Sequence, residues 1–365
     1  MPRYSIDLDT KSELHKRLVK KISSRIRLAE QEHQEKRHKW REAEERTLAF
    51  LPESEADGVR RNRRTGRGMP QYTTIQIPYS YAVLMSAHTY WTSVFFARSP
   101  VHQFQGRHGE GEQQTQAMEA LIAYQVEVGQ FMGPYYIWLY DAGKYGAGII
   151  GQYWDRQKLH YGSLVEMPDP NTGQVGIYQT TQEIEGYVGN TVYNVSVWDF
   201  MHDPRVSLKN FQNGEFCCCR TRLGWHRIVQ RMDAGYYVKD QVKTLKRRVP
   251  IDRGVSEASD QLRRPHFDQA LYGDKMDDED HPTGFVGWEF YCEVIPKEWG
   301  VGETTYPQKW CFTINEELDT IIGATPLGYY HCKFPYDVLE AEIEGYGLFT
   351  RGIPEIMEPV QNTMD

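Results

Sequence analysis

The chain lacks any run of about twenty apolar residues, which a bilayer-spanning helix needs. Its most apolar stretch, "YAVLMSAHTYWTSVFFA" at 81–97, is interrupted by Ser86, His88, Thr89, Thr92 and Ser93. That composition predicts a buried helix rather than a membrane span. The opening residues, "MPRYSIDLDTKSELHKR", carry no apolar segment, so no secretory signal is expected. Cysteine is sparse, six in 365 residues, and no CxxC pair is present. Tetrahedral zinc sites are built on such spaced pairs, so no metal is expected. Cys217, Cys218 and Cys219 are consecutive. On a strand the outer two share one face and Cys218 takes the other, which suits buried thiols in a reducing compartment. An excess of positive charge is also missing, since the formal net charge is −8. This argues against a generally basic nucleic-acid-binding surface.

A nucleotide loop is absent too, although one stretch imitates it. "DAGKYGAGIIGQYW" at 141–154 places Gly143, Gly146 and Gly148 around Lys144. A phosphate loop follows a strand and opens a helix, so that free helix N–H groups point at the anion. Here the order is reversed. Ala117, Leu121, Tyr124 and Val128 recur at helical spacing, and a second helix is expected from Pro134. "GIIGQYW" then reads as a strand. The glycines end a helix and start a strand, with Gly146 as the C-cap. No cofactor is expected.

What the chain has in quantity is aromatic residues, 24 Tyr and 9 Trp. Such side chains anchor large interfaces as well as cores. Trp40, Tyr90, Trp91, Trp138 and Tyr140 are the candidates for subunit contact. Residues 10–50 read as one long helix of mixed charge with too few apolar positions for a wide stripe. An exposed arm or a neighbour-subunit contact is expected. "GVRRNRRTGRGMP" at 58–70 forms an arginine-rich loop. Its Arg60, Arg61, Arg63, Arg64 and Arg67 are candidates for contact with phosphates or an acidic partner surface.

From about 148 to 330 the pattern is β-rich. "PDPNTGQVG" at 168–176 is a hairpin-like turn, and "EFCCCRTRL", "GFVGWEFYCEVI", "KWCFTIN" and "DTIIGAT" read as successive strands of a meander. Residues 251–283 form a polar insertion ending in the acids Asp274, Asp277, Asp278, Glu279 and Asp280. The nearest approach to a catalytic cluster is Asp337, Glu340, Glu342 and Glu344 with His331. Clustered carboxylates can hold Mg²⁺ for phosphodiester cleavage. The i, i+2, i+4 glutamates equally describe the solvent face of a strand. His202 and Asp203 are adjacent, and adjacent strand side chains point apart. At the end, "GLFTRGIPEIMEPVQNTMD" predicts a helix opening near Pro354 with Glu355 in its first turn. Its apolar side carries Ile353, Ile356, Met357 and Val360. The pattern reaches Asp365 without a C-cap. Either the natural protein continues, or copies of the chain complete this helix by packing together.

Over roughly residues 70–365 the order of these segments resembles the portal (head–tail connector) proteins of tailed bacteriophages. The likeness is carried by "IPYSYAVLMSAHTYWTSVFF" before "SPVHQFQG", and by the helix pair running into "GIIGQYW" with Trp154. It continues through "VSVWDFMHDPRV" with Asp203-Pro204, and "YYHCKFPYDVLEAEIEGYGLFTRGIPEIMEPVQ". The resemblance implies an α+β wing domain with a long N-terminal helix, a helix pair and a β-rich meander leading into a stem helix. The division expected is 1–50 as a helical arm, 51–350 as the wing domain and 351–365 as the start of the stem. It further implies a homo-oligomeric ring, usually a dodecamer, at one capsid vertex of the virion, assembled in the host cytoplasm. Double-stranded DNA would pass through it during packaging and ejection. Its partners would be the major capsid protein, the terminase large subunit and head–tail adaptor proteins. In such a system the motor is the separate terminase, so no enzyme activity and no membrane association are expected. The family's chains continue through a clip and a returning stem helix, and neither follows Asp365. The alternatives are another head–tail adaptor or tail protein and, more remotely, a metal-dependent nuclease.

Overall fold

The computed structural model describes residues 6, 8–48, 78–97, 101–106, 109, 111–168, 175–248, 284–315, 318–342, 347 and 349–364. The arginine-rich loop with Arg60, Arg61, Arg63, Arg64 and Arg67, the polar insertion 251–283 and Glu344 lie outside these residues. Helices and strands are both abundant and arranged as an α+β fold.

The 36-residue helix α1 (Glu13–Leu48) corrects the expectation of an exposed arm. His15, Leu18, Ile22, Ile26, Ala29, His33, Trp40, Ala43 and Thr47 are all buried. Their steps of three, four and seven keep one line on a 3.6-residue helix. About half of the stripe is Ala, His and Thr, which add little to an apolar count, so the sequence pattern understates it. Leu18, Ile22, Ile26 and Ala29 join a cluster with Phe290, Phe312 and Cys218, whereas Trp40 joins a second with Trp198, Phe200, Cys217 and Cys219. Trp40, expected as an interface residue, is therefore core. Its indole N–H donates to the Tyr145 carbonyl at 3.1 Å.

Between the two clusters stands a five-stranded antiparallel sheet in the order β3 (Phe200–His202), β4 (Phe216–Gly224), β5 (Gly284–Val294), β6 (Gln308–Asn315) and β7 (Ile321–Pro326). Cys218 lies in one cluster and Cys217 and Cys219 in the other, as strand alternation requires. The α1 helix passes edge strand β3, so its two halves reach opposite sides of the sheet. The insertion between β4 and β5 begins with helices α5 (Trp225–Asp233) and α6 (Lys239–Arg248), and Gly224 pairs with Gly284 where it leaves and returns.

A second sheet, in the order β2-β1-β8, contributes Ala147, Ile149, Val195 and Tyr336 to the Trp40 cluster. Strands β1 (Ala147–Pro168) and β2 (Val175–Val195) form one long ribbon, paired from Ile149–Val195 out to Pro168–Val175. Strand β8 (Tyr336–Glu340) pairs only with Ala147–Gly151, at the base. The strands expected on either side of the turn at 168–176 are present, while residues 169–174 lie outside the described set.

Between α1 and the ribbon the described residues include the helices α2 (Tyr79–Phe96), α3 (Glu112–Val128) and α4 (Met132–Tyr145). The α4 helix begins two residues before Pro134, which the sequence had placed at its start. Gly146 caps it in the left-handed region at φ 90°, its N–H bonded to the Ala142 carbonyl at 2.9 Å. A Cβ there would stand 2.5 Å from the Thr350 carbonyl oxygen. The α2 helix corrects the second expectation, of a buried helix. Only Ser80, Leu84 and His88 are buried, a single i, i+4, i+8 line. The expected terminal helix is interrupted at Met357 and forms two pieces, Ile353–Ile356 and Glu358–Met364.

Candidate functional site

The acid cluster does not assemble. Strand β8 ends at Glu340, so Glu342 sits in a bend and the expected strand face stops short. Asp337 accepts from Gln152 Nε2 at 3.0 Å, while Glu342 is held by Arg351 at 3.2 Å. Burial raises the Asp337 and Glu340 carboxyls above their usual range, yet each lies in its own setting. Among the described residues no three His, Cys, Asp or Glu side chains are grouped to hold a metal. His202 and Asp203 do not face each other as a pair either. His202 is buried and its Nε2–H donates to the Val206 carbonyl at 3.1 Å. Burial would raise the Asp203 carboxyl, but hydrogen bonds from the Arg205 side chain and from the Arg205 and Glu215 backbones hold it below its usual value. Arg205 also reaches Glu215, which pairs with Arg25, so this network fastens α1 to the β3–β4 turn.

Lys144, the cation of the loop that imitates a phosphate site, is mostly buried. It lies 3.7 Å from Glu44, which also accepts from the Tyr145 hydroxyl at 2.5 Å.

The unusual feature is the layer α2–α4. The α2 helix has no Asp, Glu, Lys or Arg in 18 residues. Leu84 meets Gly143 of α4, and the His88 Nε2–H donates to the Tyr136 carbonyl at 2.9 Å. Trp91 also faces Gly143, and Phe96 stacks on Tyr135 with ring centroids 5.9 Å apart. The other side is open: Tyr90 is 67 % exposed and Val94 and Phe95 are each 59 % exposed. On α3, Met118 is 52 % and Leu121 and Tyr124 are each 50 % exposed. Tyr136 and Ile137 continue the open surface onto α4. Half-exposed aromatic and aliphatic side chains on all three helices leave a substantial apolar area in contact with water. A groove of about 550 Å³ between α3 and the start of α4 is lined by Val101, Ile122, Val126 and Met132.

Of the interface candidates, Tyr90 is on this surface. Trp91, Trp138 and Tyr140 are half-buried inside the layer, with Tyr140 edge-on to His88 at 5.6 Å. The sequence singled out Tyr90 but not Val94, Phe95, Leu121 or Tyr124. Their signal was present as an apolar helix without charge, which was read as burial within the chain.

The C-terminal pieces are fastened to both α1 and α2. Lys36 pairs with Glu355 and Arg46 with Glu358, both at 2.7 Å. Gln361 Oε1 accepts from the Ser80 N–H at 3.3 Å and hydroxyl at 3.1 Å. Ile356 and Val360 remain exposed, while Ile353 and Met357 are half-buried. Among the described residues no helix is long and apolar enough to cross a membrane. The chain matches no protein-family model and no curated protein.

Proposed function

We propose that the chain is a self-assembling structural subunit of a tailed-phage virion, the portal ring at the head–tail junction through which double-stranded DNA is packaged and ejected. The observation that carries this reading is the charge-free, largely uncovered α2 helix at the head of an apolar layer. Such a surface is costly in water and is relieved by association. The order of segments over residues 70–365 favours a portal among assembling proteins. The terminal pieces are clamped on α1 and α2 and leave Ile356 and Val360 exposed, which is compatible with a contact between copies there. In this reading the net charge of −8 per copy keeps DNA mobile, because each phosphate neutralised by a cation strengthens binding through counterion release. The arginine-rich loop would be a local exception, touching DNA or an acidic capsid surface. The capsid protein, terminase and adaptor proteins are the partners the role requires.

The test is electron microscopy of the purified protein in end-on view. Closed rings with a hole wide enough for duplex DNA support the portal reading. Monomers or open filaments at several salt concentrations overturn it, and filaments in particular would favour a tail or adaptor protein.

A further inference from the structure

Two buried imidazoles flank the ring that leads into the terminal pieces. Phe349 stands edge-on to His33 of α1, with ring centroids 4.6 Å apart, and edge-on to His202 of β3 at 5.5 Å. Trp40 forms a further wall at 5.4 Å. Both histidines are almost fully buried. Among the described residues neither ring nitrogen of His33 has a hydrogen-bond partner, and Nδ1 of His202 has none. The His33 ring therefore packs as a neutral plate. Of the walls of this pocket, the strap that carries Phe349 is the one outside both helix and sheet. Beyond the ring, the Thr350 hydroxyl donates to the Gly146 carbonyl at 2.6 Å. The terminal pieces then hold on through the ion pairs to Lys36 and Arg46 and through Gln361 on Ser80.

A proton on either imidazole meets a poor setting. Around the pair stand Arg37 and Glu30 of α1, Asp199 and Asp203 on either side of β3, and Arg220 of β4. Glu30 lies 4.0 Å from Arg37, and Asp203 is already held by Arg205 and the Glu215 N–H. Burial, then the Arg37 charge and His202, keep His33 well below the ordinary imidazole value, and burial keeps His202 at about 4. Aromatic faces attract a cation, but this returns less than the hydration that a buried charge gives up. Opening the pocket to water relieves the charge, and the strap has neither the length of α1 nor the sheet pairing of β3 to resist it.

We infer that His33, His202 and Phe349 form an acid-released latch, in which protonation of the imidazoles expels Phe349 from between them and frees the terminal pieces from α1 while the five-stranded sheet stays folded. The step concerns a single copy and does not depend on assembly. Its sign follows from linkage. The closed latch binds protons less readily than the open one, so opening takes up protons and is favoured as pH falls below the ordinary imidazole value of about 6.5. At pH 5 the medium is still above the ordinary carboxyl range of about 4, so the change down to that pH belongs to the histidines and not to the ion pairs.

The experiment is hydrogen exchange of the full chain, read by mass spectrometry at pH 6.5 and pH 5 and corrected for the intrinsic pH dependence of exchange. Opening of residues 349–361 is expected to rise at least about tenfold between the two, which the titration of one such histidine supplies. It should exceed the opening of β5 and β6 at both pH values. His33→Phe is expected to cut the rise at least fivefold. Phe349→Ala is expected to leave the segment open at both pH values. A smaller rise in the native chain overturns the inference, as does exchange in step with β5 and β6, which would make the opening global. Free exchange of the native segment at both pH values would mean that nothing latches it. A full rise in His33→Phe, or native protection in Phe349→Ala, would assign the effect to other groups and overturn the latch as well.

Discussion

Among the described residues, the helix with the largest number of charged side chains is a core element, and a helix without any charge is a surface element. On α1, cations and anions of both signs flank a continuous buried line from His15 to Thr47. On α2, uncharged side chains, with Ser86, Thr89 and Ser93 among the aromatic and aliphatic ones, surround a fully buried line of Ser80, Leu84 and His88. Burial within a chain is set by whether one face meets another element, not by mean polarity. A charged helix with one clean stripe satisfies this, because long Lys, Arg and Glu side chains leave from the opposite side. An uncharged helix with aromatic and aliphatic side chains on more than one side has more apolar surface than its own chain covers, and the remainder is available to another molecule.

The sharpest way to break this contrast is in the core half. Trp40 touches Trp198, Tyr145 and Phe349 edge-on, with ring centroids 5.4–6.3 Å away, and donates to the Tyr145 carbonyl. Trp40→Ala is expected to cost about 3–5 kcal/mol through the lost contacts and the cavity left behind. Chemical denaturation of the two proteins checks it. A loss below about 1 kcal/mol would return α1 to the role of a detachable arm.

Acid should act next most strongly, and again through the α1 side. His202 is pushed down to about 4 by burial, and burial and the nearby Arg37 depress His33 well below the ordinary imidazole value. Burial also lowers His15, whose Nε2 accepts the Ile321 N–H at 3.1 Å and must stay unprotonated to do so. Folded-state values below the unfolded value mean that the unfolded chain takes up protons first. The stabilisation is therefore complete above about pH 6.5 and is lost as pH falls toward 4. For His202 alone the loss amounts to ~3 kcal/mol. Asp203 and Glu215, both held below the usual carboxyl range, add a further loss at lower pH. Unfolding measured from pH 7 to 4 should show the decline, and His33→Phe should flatten it, since neither ring nitrogen of His33 has a hydrogen-bond partner to lose. A pH-independent midpoint would remove the buried neutral histidines from the account.

Much of the β region was legible because turn residues and alternation are local signals. Strands β4 to β7 fall where "EFCCCRTRL", "GFVGWEFYCEVI", "KWCFTIN" and "DTIIGAT" put them, and Cys217–Cys219 alternate as expected. The Gly146 cap was legible for the same reason. Gly146→Ala is expected to cost about 1–3 kcal/mol, because the residue needs positive φ and its Cβ would meet the Thr350 carbonyl. Thermal unfolding checks it, and a neutral result would mean that the chain at Thr350 gives way. What sequence could not reveal depended on partners far along the chain. Ala29, Ala43 and Thr47 become core only when distant parts of the chain pack beside them. Glu340 and Glu342 share a pattern but not a strand, because β8 stops where its pairing with Ala147 ends.

The smallest effect on the folded chain is expected at the most apolar place. Tyr90 and Val94 are exposed on a helix whose fully buried line is Ser80, Leu84 and His88. Replacing both with Ser should change the stability of the dispersed chain by no more than ~0.5 kcal/mol, as for surface positions in general. Self-association, measured by sedimentation across a concentration series, should weaken at least tenfold if, as proposed, a second copy covers the apolar area lost. The two readouts separate the possibilities cleanly. A stability loss near that of Trp40→Ala would make α2 a core helix after all. Unchanged stability with unchanged association would leave its apolar surface without a role in assembly. Only the combination of an indifferent fold and a weakened assembly fits a helix whose burial is completed by another molecule.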